Sequence, residues 1–168
     1  LNNLKIKDNK FILLTIHRKE NTEDLLKLDN FIKKISKIFY DKKILFVLHP
    51  RVLKSRYNLK IINNLIYSKP LNYFEFISLI KKSFLVMTDS GGVSEETSML
   101  GKICLTLRDR TERPETVKYG TNIIVNFNTN KIAKIYSQMK KNRVKKSKIK
   151  LWDGKSSKRI AKIIMKKI

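Results

Sequence analysis

The chain has 168 residues, with 38 Lys or Arg against 14 Asp or Glu, a formal net charge of +24, and 42% hydrophobic residues of which 9% of the chain is aromatic. That apolar content is enough for a packed core, so global disorder is excluded despite the charge, and the length fits one domain or one lobe of a larger enzyme. One cysteine, Cys104, and two histidines exclude an intrachain disulfide framework and a structural zinc pattern.

Phe11 to Ile16 (FILLTI) is a short continuous apolar run rich in β-branched residues, which predicts a strand buried on both faces of a parallel sheet. Thr22, followed by Glu23 and Asp24, predicts the cap and acidic first turn of a helix whose apolar positions Leu25, Leu28, Phe31, Ile32, Ile35 and Phe39 recur up to Tyr40. Ile44 to Leu48 is the next strand, stopped at His49-Pro50, and Leu65 to Tyr67 a weaker third. Tyr73, Phe76, Ile77 and Ile80 form a helical stripe before a fourth strand, Phe84 to Thr88, which runs into Asp89-Ser90-Gly91-Gly92. Val93 to Leu100 reads as a short helix with Glu95 and Glu96 in its first turn and Gly101 as its terminator; Ile103 to Leu107 and Thr121 to Val125 are two further strands. Lys131 to Lys140 and Ser157 to Lys167 close the chain as amphipathic helices, whose apolar stripes are expected to pack on the sheet, with the basic stretch Lys140 to Lys150 as a flexible connection.

Strands alternating with helices in units of roughly 20 to 30 residues imply βαβ crossovers and a doubly wound, Rossmann-like α/β fold with a parallel sheet. No apolar run approaches the roughly 18 residues of a membrane span, and the opening LNNLKIKDNK lacks the apolar centre of a signal peptide, so a soluble, cytoplasmic protein is expected. The first residue is Leu rather than Met, which implies a preceding segment in the natural chain.

The charge has two explanations. Lys supplies 30 of the basic residues and Arg only 8, scattered over nearly all segments beside many Ile and Asn, as AT-rich codon usage would produce without selection for a partner. Lys131 to Ile168 is denser, with 15 basic residues and one acidic residue, Asp153, so a basic tail binding nucleic acid or anionic lipid is the rival function.

In open α/β sheets ligands bind beyond the carboxyl ends of the strands, and there this sequence collects His17-Arg18, His49 with Arg51, Ser90-Gly91-Gly92 and Arg108 to Glu115. Two glycines between a strand and a helix let an anion approach the backbone and the free N–H groups of the helix, although the same SGG also serves as a plain tight turn. Phe76 reads from its period as core.

HRKEN at His17 to Asn21, HPR at His49 to Arg51, DSGGVSEE at Asp89 to Glu96, RDRTERPETVKYGTN at Arg108 to Asn122 and DGKSSKRI at Asp153 to Ile160 resemble, in order and spacing, the C-terminal domain of non-hydrolysing UDP-N-acetylglucosamine 2-epimerases. The family fold is of the glycosyltransferase-B kind, two Rossmann-like domains across a cleft, and residues 1–168 resemble only the second. The resemblance implies that Ser90, Gly91 and Gly92 hold the diphosphate of UDP, that Glu96 takes the ribose hydroxyls, and that Arg113 and the catalytic His17 stabilise departing UDP. It implies that Arg18 and His49 share that rim, in bacterial members beside a second, regulatory UDP-sugar, and that Phe76 lies beside the uracil. The implied reaction inverts C2 of UDP-N-acetylglucosamine by UDP elimination and re-addition, with no cofactor or metal. Its proton-transfer carboxylates come from an N-terminal domain, in cis or in trans, and the full-length enzyme forms a homodimer. No specific nucleic acid and no membrane is expected as partner. Ser94 stands where the family commonly has Gln, and Trp152 where it commonly has Tyr.

Overall fold

The apolar run Phe11–Ile16 is β1, and it pairs in parallel with β2 (Lys43–Leu48) on one side and β4 (Leu85–Thr88) on the other. β3 (Leu65–Ser68), β5 (Cys104–Thr106) and β6 (Asn122–Ile124) complete an all-parallel six-stranded sheet of order β3-β2-β1-β4-β5-β6. The computed structural model describes residues 9–54, 61–141 and 147–166. The doubly wound, Rossmann-like α/β fold expected from the alternation is therefore the fold found.

Period-two alternation divides the core. Ile12, Leu14 and Ile16 of β1 point into a cluster with Leu28, Phe31, Ile32 and Ile35 of α2 (Leu25–Ile38) and Ile132 and Tyr136 of α7 (Thr129–Lys141). Phe11 and Leu13 point the other way, onto Leu79 and Ile80 of α4 (Tyr73–Lys82) and Val93 of α5 (Gly91–Met99). All five of those β1 side chains are fully buried, each stabilising the sheet by about 1.5–3 kcal/mol in transfer free energy.

Helix ends differ from the sequence expectation in instructive ways. Thr22 does not cap α2; it closes a separate turn, α1 (Lys19–Thr22), by donating its hydroxyl to the Arg18 carbonyl at 3.0 Å. Asp24 is the cap, its carboxylate accepting from the Lys27 N–H at 2.9 Å, and α2 stops at Ile38 so that Tyr40 is exposed. Short helices α3 (Pro50–Lys54) and α6 (Pro114–Lys118) start at prolines, where a preset φ and a missing N–H suit the first turn. Gly101 ends α5 with φ of 65°, as its position predicts. Part of the Lys140 to Lys150 connection lies outside the described residues.

α8 (Ser156–Ile164) corrects a second expectation. Its apolar stripe does not pack on the sheet: Ile160, Ile163 and Ile164 are each more than half exposed, whereas Ile132 and Tyr136 of α7 are buried as expected. The spacing of apolar residues fixes a helix and a face, but not what covers the face. No helix among the described residues is long and apolar enough to cross a membrane.

Candidate functional site

The strand order reverses direction between β1 and β4, and the residues that follow these two strands meet at their carboxyl ends. Asp89, fully buried just after β4, organises the meeting. Its carboxylate accepts from the backbone N–H of His17 at 3.1 Å, the backbone N–H of Arg18 at 3.0 Å and Nδ2 of Asn21 at 2.9 Å, and it contacts His17 Nδ1 at 2.8 Å. Burial alone would raise the Asp89 carboxyl, but the hydrogen bonds from His17, Asn21 and the Arg18 backbone hold it below the ordinary carboxylate range. With Nδ1 committed to Asp89, the His17 ring keeps Nε2 for other partners.

His49, at the end of β2, stands 5.9 Å from the His17 ring between centroids. Its Nδ1 accepts from the Arg51 N–H at 3.3 Å, and Arg51 Nη1 reaches back to the His17 carbonyl at 3.2 Å. Burial first, then the electrostatic influence of the neighbouring His17 and Arg51 side chains, lowers the His49 pKa from its ordinary value. The two histidines, Phe76, Ser90 and Val93 line a cavity of about 290 Å³.

Ser90 caps α5, its Oγ accepting from the Val93 N–H at 3.4 Å. The glycines behind it are not required by the chain's own geometry. A Cβ at Gly91 would come no nearer than 3.8 Å to another residue's atom and one at Gly92 no nearer than 4.0 Å, and neither has a positive φ. What they leave is open backbone at a helix N-terminus, where N–H groups face outward. Because α5 begins at Gly91, Glu95 and Glu96 fall in its second turn, not its first, so compensation of the helix dipole does not account for them. Glu96 is half-buried, and burial, followed by repulsion from Glu95, raises its carboxyl above the ordinary range.

The segment after β5 folds over the same end. Arg113 Nε donates to Glu95 Oε1 at 2.7 Å, while Arg18 Nη2 and Arg108 Nη1 both donate to Glu112 Oε1 at 3.0 Å. A buried chain of hydrogen bonds supports this segment from below: Thr106 Oγ1 to Asn122 Oδ1 at 2.6 Å, Asn122 Nδ2 to Thr116 Oγ1 at 3.0 Å, and Thr116 Oγ1 to the Arg113 carbonyl at 2.7 Å. Gly120 is required here, since a Cβ would collide with the Thr116 carbonyl and approach Ser98 Oγ to 2.6 Å.

His17, His49, Phe76 and Ser90 thus line one cavity, with Gly91 and Gly92 on the adjoining helix start; Phe76 also packs against the smaller core cluster, as its period predicts. Arg18 and Arg113 do not line that cavity; their guanidinium groups are engaged by Glu112 and Glu95. Among the described residues no group of three His, Cys, Asp or Glu side chains could hold a metal ion. Sequence reasoning missed the weight of Asp89, whose signal was a lone carboxylate directly after the buried strand Leu85–Thr88, and it assigned nothing to Arg108 or Glu112.

The family model for UDP-N-acetylglucosamine 2-epimerase matches residues 1–165. The UDP-N-acetylglucosamine 2-epimerase of Methanocaldococcus jannaschii is 41% identical over 165 residues, which cover 94% of this chain and 45% of that protein. Its crystal structure in complex with UDP-GlcNAc and UDP superposes with a TM-score of 0.82 at 40% identity, over 98% of this chain and 47% of that one. The UDP-2,3-diacetamido-2,3-dideoxy-D-glucuronate 2-epimerase of Pseudomonas aeruginosa is also 41% identical, over 68% of this chain and 33% of its own length. The wall teichoic acid polymerase TagF, at 19% identity and a TM-score of 0.52 over 99% of this chain and 46% of its own, shares the fold alone. The chain therefore spans about half the length of these relatives or less. With a family match over nearly its whole length, this chain belongs to the UDP-N-acetylglucosamine 2-epimerase family.

Proposed function

We propose that this chain is the UDP-binding half of a sugar-nucleotide 2-epimerase, converting UDP-N-acetylglucosamine to UDP-N-acetylmannosamine once an N-terminal Rossmann-like domain completes the cleft in cis or in trans. The observation that carries the reading is the Ser90–Gly92 turn, where two glycines that the chain's own packing does not need keep the start of α5 open beside the cavity of His17 and His49.

The α5 N–H groups and the Ser90 hydroxyl take the diphosphate, Glu96 the ribose hydroxyls, and Phe76 flanks the base. In the reaction the C2 proton is removed and the C1–O bond breaks, giving a glycal and UDP; re-addition from the other face at C2 returns the proton and reforms that bond. His17, with Nδ1 fixed by Asp89, offers Nε2 to the departing diphosphate, and Arg113 adds cationic stabilisation after leaving Glu95. Carboxylates that move the C2 proton must stand within hydrogen-bond reach of it, and they belong to the N-terminal domain. Two similar relatives named for different sugars agree in the UDP part, which is the part assigned to this chain. The same reading places the protein in the cytoplasm and pairs full-length chains as homodimers, with Arg18 and His49 on the rim where a regulatory UDP-sugar would also sit.

Isothermal titration of the 168-residue chain with UDP tests the assignment. UDP is expected to bind in the low micromolar to millimolar range, and Glu96→Ala to weaken it by roughly 1–3 kcal/mol, as for a lost charged hydrogen-bond partner. Absence of any heat or melting shift at millimolar UDP refutes it.

A further inference from the structure

We propose that Arg18 and Arg108 form a paired cationic arm of the phosphate site and that the Glu112 carboxylate competes with phosphate for it. The inference rests on the UDP reading of this cleft and deepens it by assigning Arg108 and Glu112, which that reading leaves without a role.

The starting point is a shared atom. Glu112 Oε1 accepts from Arg18 Nη2 and from Arg108 Nη1, each at 3.0 Å, although the two arginines enter from the ends of different strands, β1 and β5. The other oxygen, Oε2, is the nearest foreign atom to the position a Gly91 Cβ would take, at 3.8 Å. One carboxylate thus lies between two guanidinium groups and the first residue of α5, the arrangement that an external phosphate would seek on the same elements.

The partners are not equally fixed. The Arg108 side chain is 14% exposed and that of Arg18 28%, whereas that of Glu112 is 54% exposed. Arg18 is also anchored by its Nε, which donates to the Asp89 carbonyl at 3.2 Å. The cations are held by the fold and the anion is the exchangeable member. The hydrogen bonds from Arg108 and Arg18 lower the Glu112 carboxyl, so it is ionised at neutral pH.

Two guanidinium groups converging on one point repel each other, and an internal carboxylate offsets that repulsion. A phosphate carries more charge and more acceptor oxygens than a carboxylate and so displaces it. Singly charged anions gain little by the exchange. Glu112 thereby sets a threshold, lowering affinity for every anion while favouring the diphosphate over weaker competitors.

The test is titration of the 168-residue chain, Glu112→Gln and Arg108→Gln with UDP and, separately, with inorganic phosphate, with thermal melts of each variant. Glu112→Gln is expected to bind UDP at least threefold more tightly and phosphate with a larger relative gain; Arg108→Gln is expected to lose at least tenfold for UDP. Unchanged or weaker UDP binding by Glu112→Gln overturns the competition, because a carboxylate that merely braced the arginines would weaken binding when removed. Unchanged binding by Arg108→Gln overturns the paired arm. Should either variant fail to fold, the guanidinium resonances of Arg18 and Arg108 in the unsubstituted chain supply the measurement: both must shift together on adding phosphate, and a shift of neither overturns the proposal. Failure of the unsubstituted chain to bind UDP, with the phosphate gain of Glu112→Gln intact, would count against the UDP reading and leave the exchange standing.

Discussion

His17 and Asp89 stand 72 positions apart in the chain and meet at 2.8 Å, Nδ1 to carboxylate, because parallel pairing of β1 with β4 brings both strand ends to one edge of the sheet. The contact occupies one ring nitrogen, Nδ1, and leaves the other, Nε2, turned away from Asp89. Asp89→Asn can still accept from backbone N–H groups, but its amide N–H presented to His17 would favour the opposite tautomer. A loss of roughly 1–3 kcal/mol in urea unfolding is expected, the scale of a charged hydrogen bond, together with a change in the His17 ring nitrogen shifts. Unchanged nitrogen shifts would show that Asp89 supports the fold without orienting the imidazole.

Two residues of the site couple stability to pH with separate windows. The Asp89 carboxyl is lowered in the folded chain, so its contribution is fully present above its unfolded value of about 3.9 and is lost as pH falls through the lower folded value. The His49 pKa is also lowered, so below about 6.5 the unfolded chain takes that proton first and stability declines there as well. Melting temperature is expected to hold level above neutrality, fall modestly below about pH 6.5, and fall further in the acid range. In Asp89→Asn the acid-range fall should shrink while the first decline persists.

Gly92 and Gly120 predict opposite outcomes for the same substitution. Gly92→Ala meets only Ser90 Oγ, at an ordinary contact distance of 4.0 Å, and sits in a helix, so stability should be unchanged or raised by about 0.5–1 kcal/mol, while UDP binding drops because the methyl fills the open helix start. Gly120→Ala drives a methyl into the Thr116 carbonyl and should cost about 1–3 kcal/mol or more. Differential scanning calorimetry beside UDP titration separates the two. A Gly92→Ala chain that binds UDP normally would move the diphosphate away from α5.

Turnover should be undetectable for the 168 residues alone and appear when the N-terminal half of a full-length relative is supplied. A coupled assay for UDP-N-acetylmannosamine, or deuterium exchange at C2 in heavy water, gives the readout. Robust exchange by the chain alone would put the proton-transferring base among its own carboxylates, with Glu95, Glu112 and Glu115 the first to examine.

Much of the fold was legible in the sequence, because short apolar runs bounded by turn chemistry read as strands, and each of the six appears within two residues of its expected limits. The short helices α1, α3 and α6 were not, since four or five residues carry no period to detect. Motif positions likewise pointed to His17, His49 and Ser90, which line one cavity, whereas Arg113 stands outside it on Glu95. The partnerships among them were hidden, because contacts such as Arg18 with Glu112 join positions 94 apart and depend on where β1 and β5 end in space. α8 marks a further boundary: its apolar spacing was readable, its exposure was not.

The order in which the site's pieces leave the ribosome follows from the sheet order. β1 can find its first neighbour, β2, after about thirty residues, but the other neighbour that carries Asp89 is synthesised only after two more helical crossovers, and the arginine-bearing segment later still. His17 therefore spends the early part of translation on a strand whose inner edge is unpaired. The strand-end cleft is a late product of synthesis, and a stalled chain ending before β4 would expose that edge to aggregation rather than complete the cleft.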